Sequence, residues 1–205
     1  MSKLLYSISR GIKKVFCPSA IKNTTMGYGS FASEGSLVVD CSFGRHSYVG
    51  QYTSIHSASV GNFTSISSFC EIGAGMHPIN FVSTSPFFYK VSQKNGHSFP
   101  NEFYETVIGN DVWIGSHVLV KSGIRISDGA IIGMGSIVTH DVGPYEIWAG
   151  NPARIIRKRF DDETIDQLLS IQWWNWNDEI LKKRSVSFAD ASTFVQMWIN
   201  KNEDG

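Results

Sequence analysis

Isoleucine or valine recurs at every sixth position from Ile108 through Ile114, Val120, Ile126 and Ile132 to Val138. That period fits neither an amphipathic helix nor an alternating strand. It marks a repeat in which each unit supplies one short strand and one turn. Four residues after each anchor stands a small or branched side chain: Val112, Val118, Ile124, Ala130, Ser136 and Val142. The rule runs earlier with more noise. Leu37, Phe43, Val49 and Ile55 are spaced by six, and Val60, Ile66 and Ile72 follow after one five-residue step. Their corner positions are Cys41, Ser47, Thr53, Ser59, Thr64 and Cys70, with only Met76 large. Three hexapeptides make one triangular coil whose aliphatic face is buried on the next. These thirteen matches predict about four to five coils of an all-β solenoid.

The spacing assigns 30–148 to this solenoid and breaks at 78–107, where Pro78, Pro86, Pro100 and two Phe-rich clusters replace the repeat. A long irregular excursion from a regular stack is usually functional. Residues 1–29 form a lead-in, with a helix over 2–16. It places Leu4, Leu5, Ile8, Ile12, Val15 and Phe16 on one side and Lys3, Arg10, Lys13 and Lys14 elsewhere. Two roles stay open for it: packing on the solenoid or a neighbouring subunit, or peripheral contact with an anionic membrane. Residues 149–205 form a helical cap. After Ala149-Gly150-Asn151-Pro152 and a basic run, Asp161 or Asp162 caps a helix carrying Ile165, Leu168 and Leu169. A second helix has Asp178 and Glu179 in its first turn and Lys182, Lys183 and Arg184 in its last, as the helix dipole prefers. A third, around 190–200, carries Phe194, Val195 and Trp198, and Trp173-Trp174-Asn175-Trp176 reads as a packing anchor. The cap is expected to cover the open end of the prism, whose edge and core need shielding.

Composition narrows the classes of partner. Lys plus Arg equals Asp plus Glu, 18 each, so no global field points to nucleic acid. Cys17, Cys41 and Cys70 form no CxxC pair, and two of them fall on corner positions, which argues for a reducing compartment. No apolar run is long enough to span a bilayer, and the charge-broken start lacks the core of a signal peptide. A cytoplasmic location is the expectation.

The segments Ile108-Gly-Asn-Asp-Val-Trp-Ile-Gly-Ser116, Ile132-Gly-Met-Gly-Ser-Ile-Val-Thr139 and Gly150-Asn-Pro-Ala-Arg154 are more specific than the period itself. With the excursion and the Trp-Trp-Asn-Trp tail, they resemble the hexapeptide-repeat acyltransferases. The likeness is to the branch of xenobiotic and surface-polysaccharide O-acetyltransferases. It implies a left-handed parallel β-helix, a homotrimer with sites between prisms, and acetyl-CoA as co-substrate without a metal. His77, at the root of the excursion, is the implied general base. A neutral imidazole accepting a hydroxyl proton is typically worth ~10²–10⁴-fold, and activity should fall on the acid side as it protonates. By position, Ser116 and Met134 would offer backbone groups to the pantetheine arm, with Thr139 further along the same edge. Arg154 and Arg157 would meet the coenzyme phosphates. Trp113 and Ser85 would line the acyl or acceptor pocket.

Other readings compete. His46, His56, His117 and His140 occupy outward repeat positions, with solvated surface the default, and His97 lies in the excursion. His77, His97 and His117 are spaced by twenty, which invites a zinc reading; Ser122 stands where that pattern needs a close second histidine. The acceptor implied by His77-Pro78 and Ser83-Thr84-Ser85-Pro86-Phe87-Phe88 is a sugar hydroxyl on a surface polysaccharide or its precursor. A hydroxylated antibiotic is the alternative acceptor, and a non-catalytic repeat scaffold the alternative of another class.

Overall fold

A computed structural model of the chain describes residues 15–88 and 103–199. The helix expected over 2–16 lies outside them except at 15–16, as does His97. The hexad folds as a left-handed parallel β-solenoid. Its first face stacks β1 (Ala20–Lys22), β4 (Leu37–Phe43), β6 (Ser54–Val60), β8 (Glu71–Ala74), β11 (Leu119–Lys121) and β14 (Ile137–Val138). The second stacks β2 (Thr25–Met26), the later halves of β4 and β6, β9 (Thr106–Ile108) and β12 (Arg125–Ile126), and ends in a bridge from Ile126 to Val142. The third stacks β3 (Phe31–Ala32), β5 (Tyr48–Val49), β7 (Ser65–Ile66), β10 (Trp113–Ile114), β13 (Ile131–Ile132) and β15 (Glu146–Gly150). Each face therefore has six levels, more than the spacing predicted, because the pairing begins at Ala20 rather than 30.

The noise in the early repeat has a structural cause. Coils pair residues 17 apart in the first half, as in Leu37 with Ser54, and 18 apart in the second, as in Leu119 with Ile137. The missing residue lies between the first two faces, where β4 and β6 run through the corner with Asp40 and Ser57 at φ 55° and 48°. The steps Val38 to Phe43 and Ile55 to Val60 are accordingly five residues long. This corrects two assignments. Leu37 is 39% exposed while Val38 is fully buried and is the true anchor, and Ala58 rather than Ser59 fills the corner. Each anchor is accompanied two positions earlier by a second buried residue, such as Ser47 before Val49 and Cys70 before Ile72.

The helices do not close the end of the prism. The terminal edge of the third face is covered by β16 (Ala153–Lys158), which pairs antiparallel with β15. Helices α1 (Asp162–Ile171), α2 (Asp178–Arg184) and α3 (Ala191–Trp198) pack instead along the corner between the second and third faces. That corner carries His46, Phe63, Asp111, Gly129 and Tyr145 on successive levels, all with positive φ. Asp161 caps α1, Asn177 caps α2 and Asp190 caps α3. Trp174 and Trp176 are buried, as an anchor requires, and the Arg184 guanidinium lies between the Trp176 and Trp198 rings at 4.5 and 3.9 Å. Polar links fasten this bundle to the coils. Arg45 donates to Asp178 and to the carbonyl of Trp176, and Asn62 Nδ2 donates to Trp174 O at 3.2 Å. His46 Nε2 donates to Asp178 Oδ2 at 2.9 Å, so His46 is a half-buried structural residue rather than a solvated one.

Ile55→Ala, at a fully buried anchor, should cost ~2–5 kcal/mol of unfolding free energy, whereas Leu37→Ala should cost less than about 1 kcal/mol; chemical denaturation separates the two. The hydrogen bond from His46, then the charges of His46 and Arg45, hold the Asp178 carboxyl below its ordinary value. Its stabilising contribution is thus present above the ordinary carboxylate range and lost as pH falls through the lowered value. Melting temperatures of wild type and Asp178→Asn should accordingly differ near neutrality and converge in acid.

Candidate functional site

The excursion leaves at the corner between the first and second faces. Gly73 makes the exit: its φ is +71°, and a Cβ there would sit 2.2 Å from the His56 carbonyl oxygen. The chain then runs through Gly75, Met76, His77 and buried Pro78, and rejoins the second face at Thr106 of β9, with Phe103 and Tyr104 just before it. The return is fastened by Ser122, a buried corner residue of the following coil. Its Oγ accepts the Tyr104 N–H at 2.7 Å and donates to the Tyr104 carbonyl at 3.0 Å. Thr106 Oγ1 accepts from Gly123 N at 3.3 Å one step later. Phe103 stacks on His56 with ring centroids 5.3 Å apart, and Ser54 Oγ lies 3.0 Å from His56 Nε2. Exit and return thus flank one corner.

His77 and Tyr104 line a cavity of about 460 Å³ there, with Met76, Pro78, Ile79, Asn80 and Phe81. His77 Nδ1 donates to the Thr84 carbonyl at 2.8 Å. A carbonyl only accepts, so the proton resides on Nδ1 and Nε2 carries the lone pair of the neutral ring. That is the tautomer a general base needs. The described lining contains no carboxylate or ammonium, only the Asn80 amide and apolar or aromatic groups beside the imidazole.

The remaining sequence-predicted residues fall on separate rows. Ser116 and Met134 stack on successive coils at the corner between the third and first faces, linked by Gly135 N to Ser116 O at 2.9 Å. Ala149 continues this edge beneath Gly133, and Arg154 pairs with Ala149, so Arg154 ends on the same edge. Met134 is 80% exposed and presents itself along this edge. Thr139 does not: it follows β14 at the opposite side of the first face, on the His77 edge, where its hydroxyl meets His140 Nδ1 at 2.9 Å. Arg157 is likewise apart from Arg154. It pairs with Ile147 at the far end of the third face, in the row that runs through Ile131 to Trp113. Ser85 is half-buried and its Oγ accepts from Phe87 N at 3.3 Å, shaping a turn in the excursion.

The zinc reading fails on placement: His117 stacks on Phe69 at 5.0 Å along the Ser116 corner, not the His77 corner. Among the described residues no group of three metal-ligating side chains converges. No helix among the described residues is long and apolar enough to cross a membrane. Cys41 and Cys70 are buried fillers whose thiols burial pushes up, and Cys17 is exposed. Sequence reasoning missed Thr84, which acts through its main chain and so leaves no residue-type signal. It also missed the clamping role of Ser122, whose one cue is a hydroxyl at an inward corner position beside glycine.

No family model matches the chain. A chloramphenicol acetyltransferase of Agrobacterium fabrum is 46% identical over 129 residues, 57% of this chain and 62% of that protein. A probable macrolide acetyltransferase of Lysinibacillus sphaericus is 41% identical over 138 residues, 60% of this chain and 76% of that protein. The chain thus spans about three fifths of the length of the first relative and three quarters of the second. Among solved structures, a mutant of AntD, an N-acyltransferase from Bacillus cereus in complex with dTDP and coenzyme A, matches with a TM-score of 0.60. Its identity is 19%, over 80% of this chain and 84% of that one, which is a likeness of fold.

Removing the Ser122 hydroxyl strands the Tyr104 backbone. Ser122→Ala should cost ~1–3 kcal/mol and speed hydrogen exchange at 103–107, read by mass spectrometry, more than at the distant anchors.

Proposed function

From the premise that this chain belongs to the hexapeptide-repeat acyltransferase family, we propose that it transfers an acetyl group from acetyl-CoA to a hydroxyl of a sugar. The observation that carries the reading is the His77 tautomer set by Thr84 O, inside a cavity at the excursion root. In the proposed reaction His77 Nε2 accepts the acceptor's hydroxyl proton while that oxygen attacks the thioester carbonyl. The tetrahedral oxyanion collapses with loss of the coenzyme thiolate, and the imidazolium returns the proton to it. A thioester is already activated, so the reading needs neither a covalent enzyme intermediate nor a metal.

Ser116, Met134 and Arg154 offer a donor edge on the far side of the first face from His77. Ser116 precedes β11 at one corner, and Lys121, at its other end, neighbours Ala74 at the His77 corner, so the two edges stand the width of the first face apart. One prism therefore separates base and donor residues, and a second copy laid against the first would join them. A homotrimer closes such an arrangement by symmetry. In it Arg154 meets the coenzyme phosphates. Thr139 contributes on the base's own edge, and Arg157 and Trp113 come from the outer row of the third face.

A neutral lining with aromatic groups suits the apolar faces of a pyranose ring, and the glycan reading also draws on Met76, where drug-modifying members commonly have asparagine. The names of the two relatives favour a second reading, a hydroxylated antibiotic as acceptor. A non-catalytic scaffold predicts no coenzyme A affinity. Thiol release from acetyl-CoA, followed with neutral oligosaccharides and with chloramphenicol in parallel, distinguishes these. His77→Ala should retain coenzyme A binding and lose ~10²–10⁴-fold in thiol release; unchanged turnover removes His77 from this role.

A further inference from the structure

A second cavity, of about 330 Å³, lies between the corner of Tyr145 and the helical bundle. It is separated from His77 by the width of the second face. One wall is polar: Asp111, Arg159 and the Tyr145 hydroxyl. The others are aromatic, including Phe160, Trp173 and Phe188. Tyr145 is 1% exposed, yet its hydroxyl has no hydrogen-bond partner. The Trp173 indole lies beside that hydroxyl without bonding to it in ordinary geometry.

A buried orphan hydroxyl costs free energy, so its retention needs a reason. Packing does not supply one, because the same corner three levels earlier is occupied by Phe63, whose ring turns the chain with φ +58° and carries no hydroxyl. Burial, then the nearby Asp111 charge, pushes the Tyr145 phenol upward, so it remains a donor across the working range. The charged groups, in contrast, are already committed. Arg159 Nη1 donates to Asp111 Oδ2 at 3.0 Å and to Gly129 O at 2.8 Å, with its guanidinium over the Tyr145 and Phe160 rings at 5.1 and 5.3 Å. This pair cancels its own charge, and the nearby Asp128 charge disfavours an anion. The volume reaches the range of small-molecule pockets, and Phe188 and Ala189 are exposed at its rim, which gives access.

We propose that this cavity is a binding site, separate from the His77 site, for a small neutral aromatic molecule that accepts one hydrogen bond from the Tyr145 hydroxyl. Its ring lies against Trp173 and Phe188, and its acceptor atom meets the otherwise unpaired phenol. The proposal does not depend on the reaction assigned to His77.

Saturation-transfer NMR on the full chain, with acetophenone and benzyl alcohol as probes and benzoate as the charged control, tests it. Both neutral probes should bind saturably and compete with each other, with benzoate at least tenfold weaker. Tyr145→Phe should weaken the neutral probes about fivefold, the loss of one hydrogen bond, while its melting temperature without ligand stays level or rises. Ala191→Trp, which fills the cavity from the start of α3, should abolish binding while its circular dichroism remains that of wild type. Absence of saturable binding, equal affinity in Tyr145→Phe, or retained binding in a folded Ala191→Trp each overturns the proposal.

Discussion

Every coil of this protein has to bring an aliphatic side chain beneath the one above it and then turn through three corners without losing register. Fully buried Val38, Ile55 and Ile72 meet this demand on the first face, and Val49, Ile66, Ile114 and Ile132 on the third. The corners are where the chain strains. Asp40, Ser57, His46, Phe63, Tyr52 and Phe69 all sit at positive φ, a region that ordinary side chains enter only when the surrounding structure compels it. Between levels, the backbone N–H and C=O groups are paired coil to coil, so the stack tolerates an interruption only at a corner. That is why the excursion leaves beside Gly73 and returns at Thr106, and why the His77 cavity is where it is.

Much of this architecture is legible in the amino-acid order because the burial demand repeats. Where coils contain 18 residues, each anchor falls on the hexad. Where they contain 17, the order misleads by one position, and Leu37 reads as an anchor although Val38 is the buried residue. No hydrophobic count reveals which corner has lost a residue, since both neighbours are aliphatic. The first two helices of the cap were legible from Asp161 and Asp178, whose carboxylates mark a start and a first turn, and the third from Phe194, Val195 and Trp198; its Asp190 cap was not read. Their docking place was not: it depends on Arg45 and Asn62, more than a hundred residues earlier, meeting the backbone and side chains of Trp174, Trp176 and Asp178.

The candidate site divides in the same way. His77 was legible because a histidine at the break of a period is conspicuous, whereas the group that selects its tautomer is a main-chain carbonyl. Ser116 and Met134 were legible as an 18-residue pair, since that spacing equals one coil. Thr139 was not placed correctly, because five residues further along the chain from Met134 a strand has already crossed the whole first face. The chemistry on each edge follows from residue type; the question of which edges meet belongs to assembly.

The bundle touches the corner at His46, Phe63, Asp111, Gly129 and Tyr145 through contacts of different kinds: an ion pair, ring packing, a guanidinium bridge. Such a fastening works as a ruler. Solenoids readily lengthen or shorten by whole repeats, and each added or deleted coil shifts everything beyond it by about 4.8 Å. Here a change of one coil between Arg45 and Asp111 would leave Asp178 facing the wrong level while Arg159 still gripped Asp111. The cap therefore constrains how many coils this chain can gain or lose, a limit that an unclasped stack would not feel.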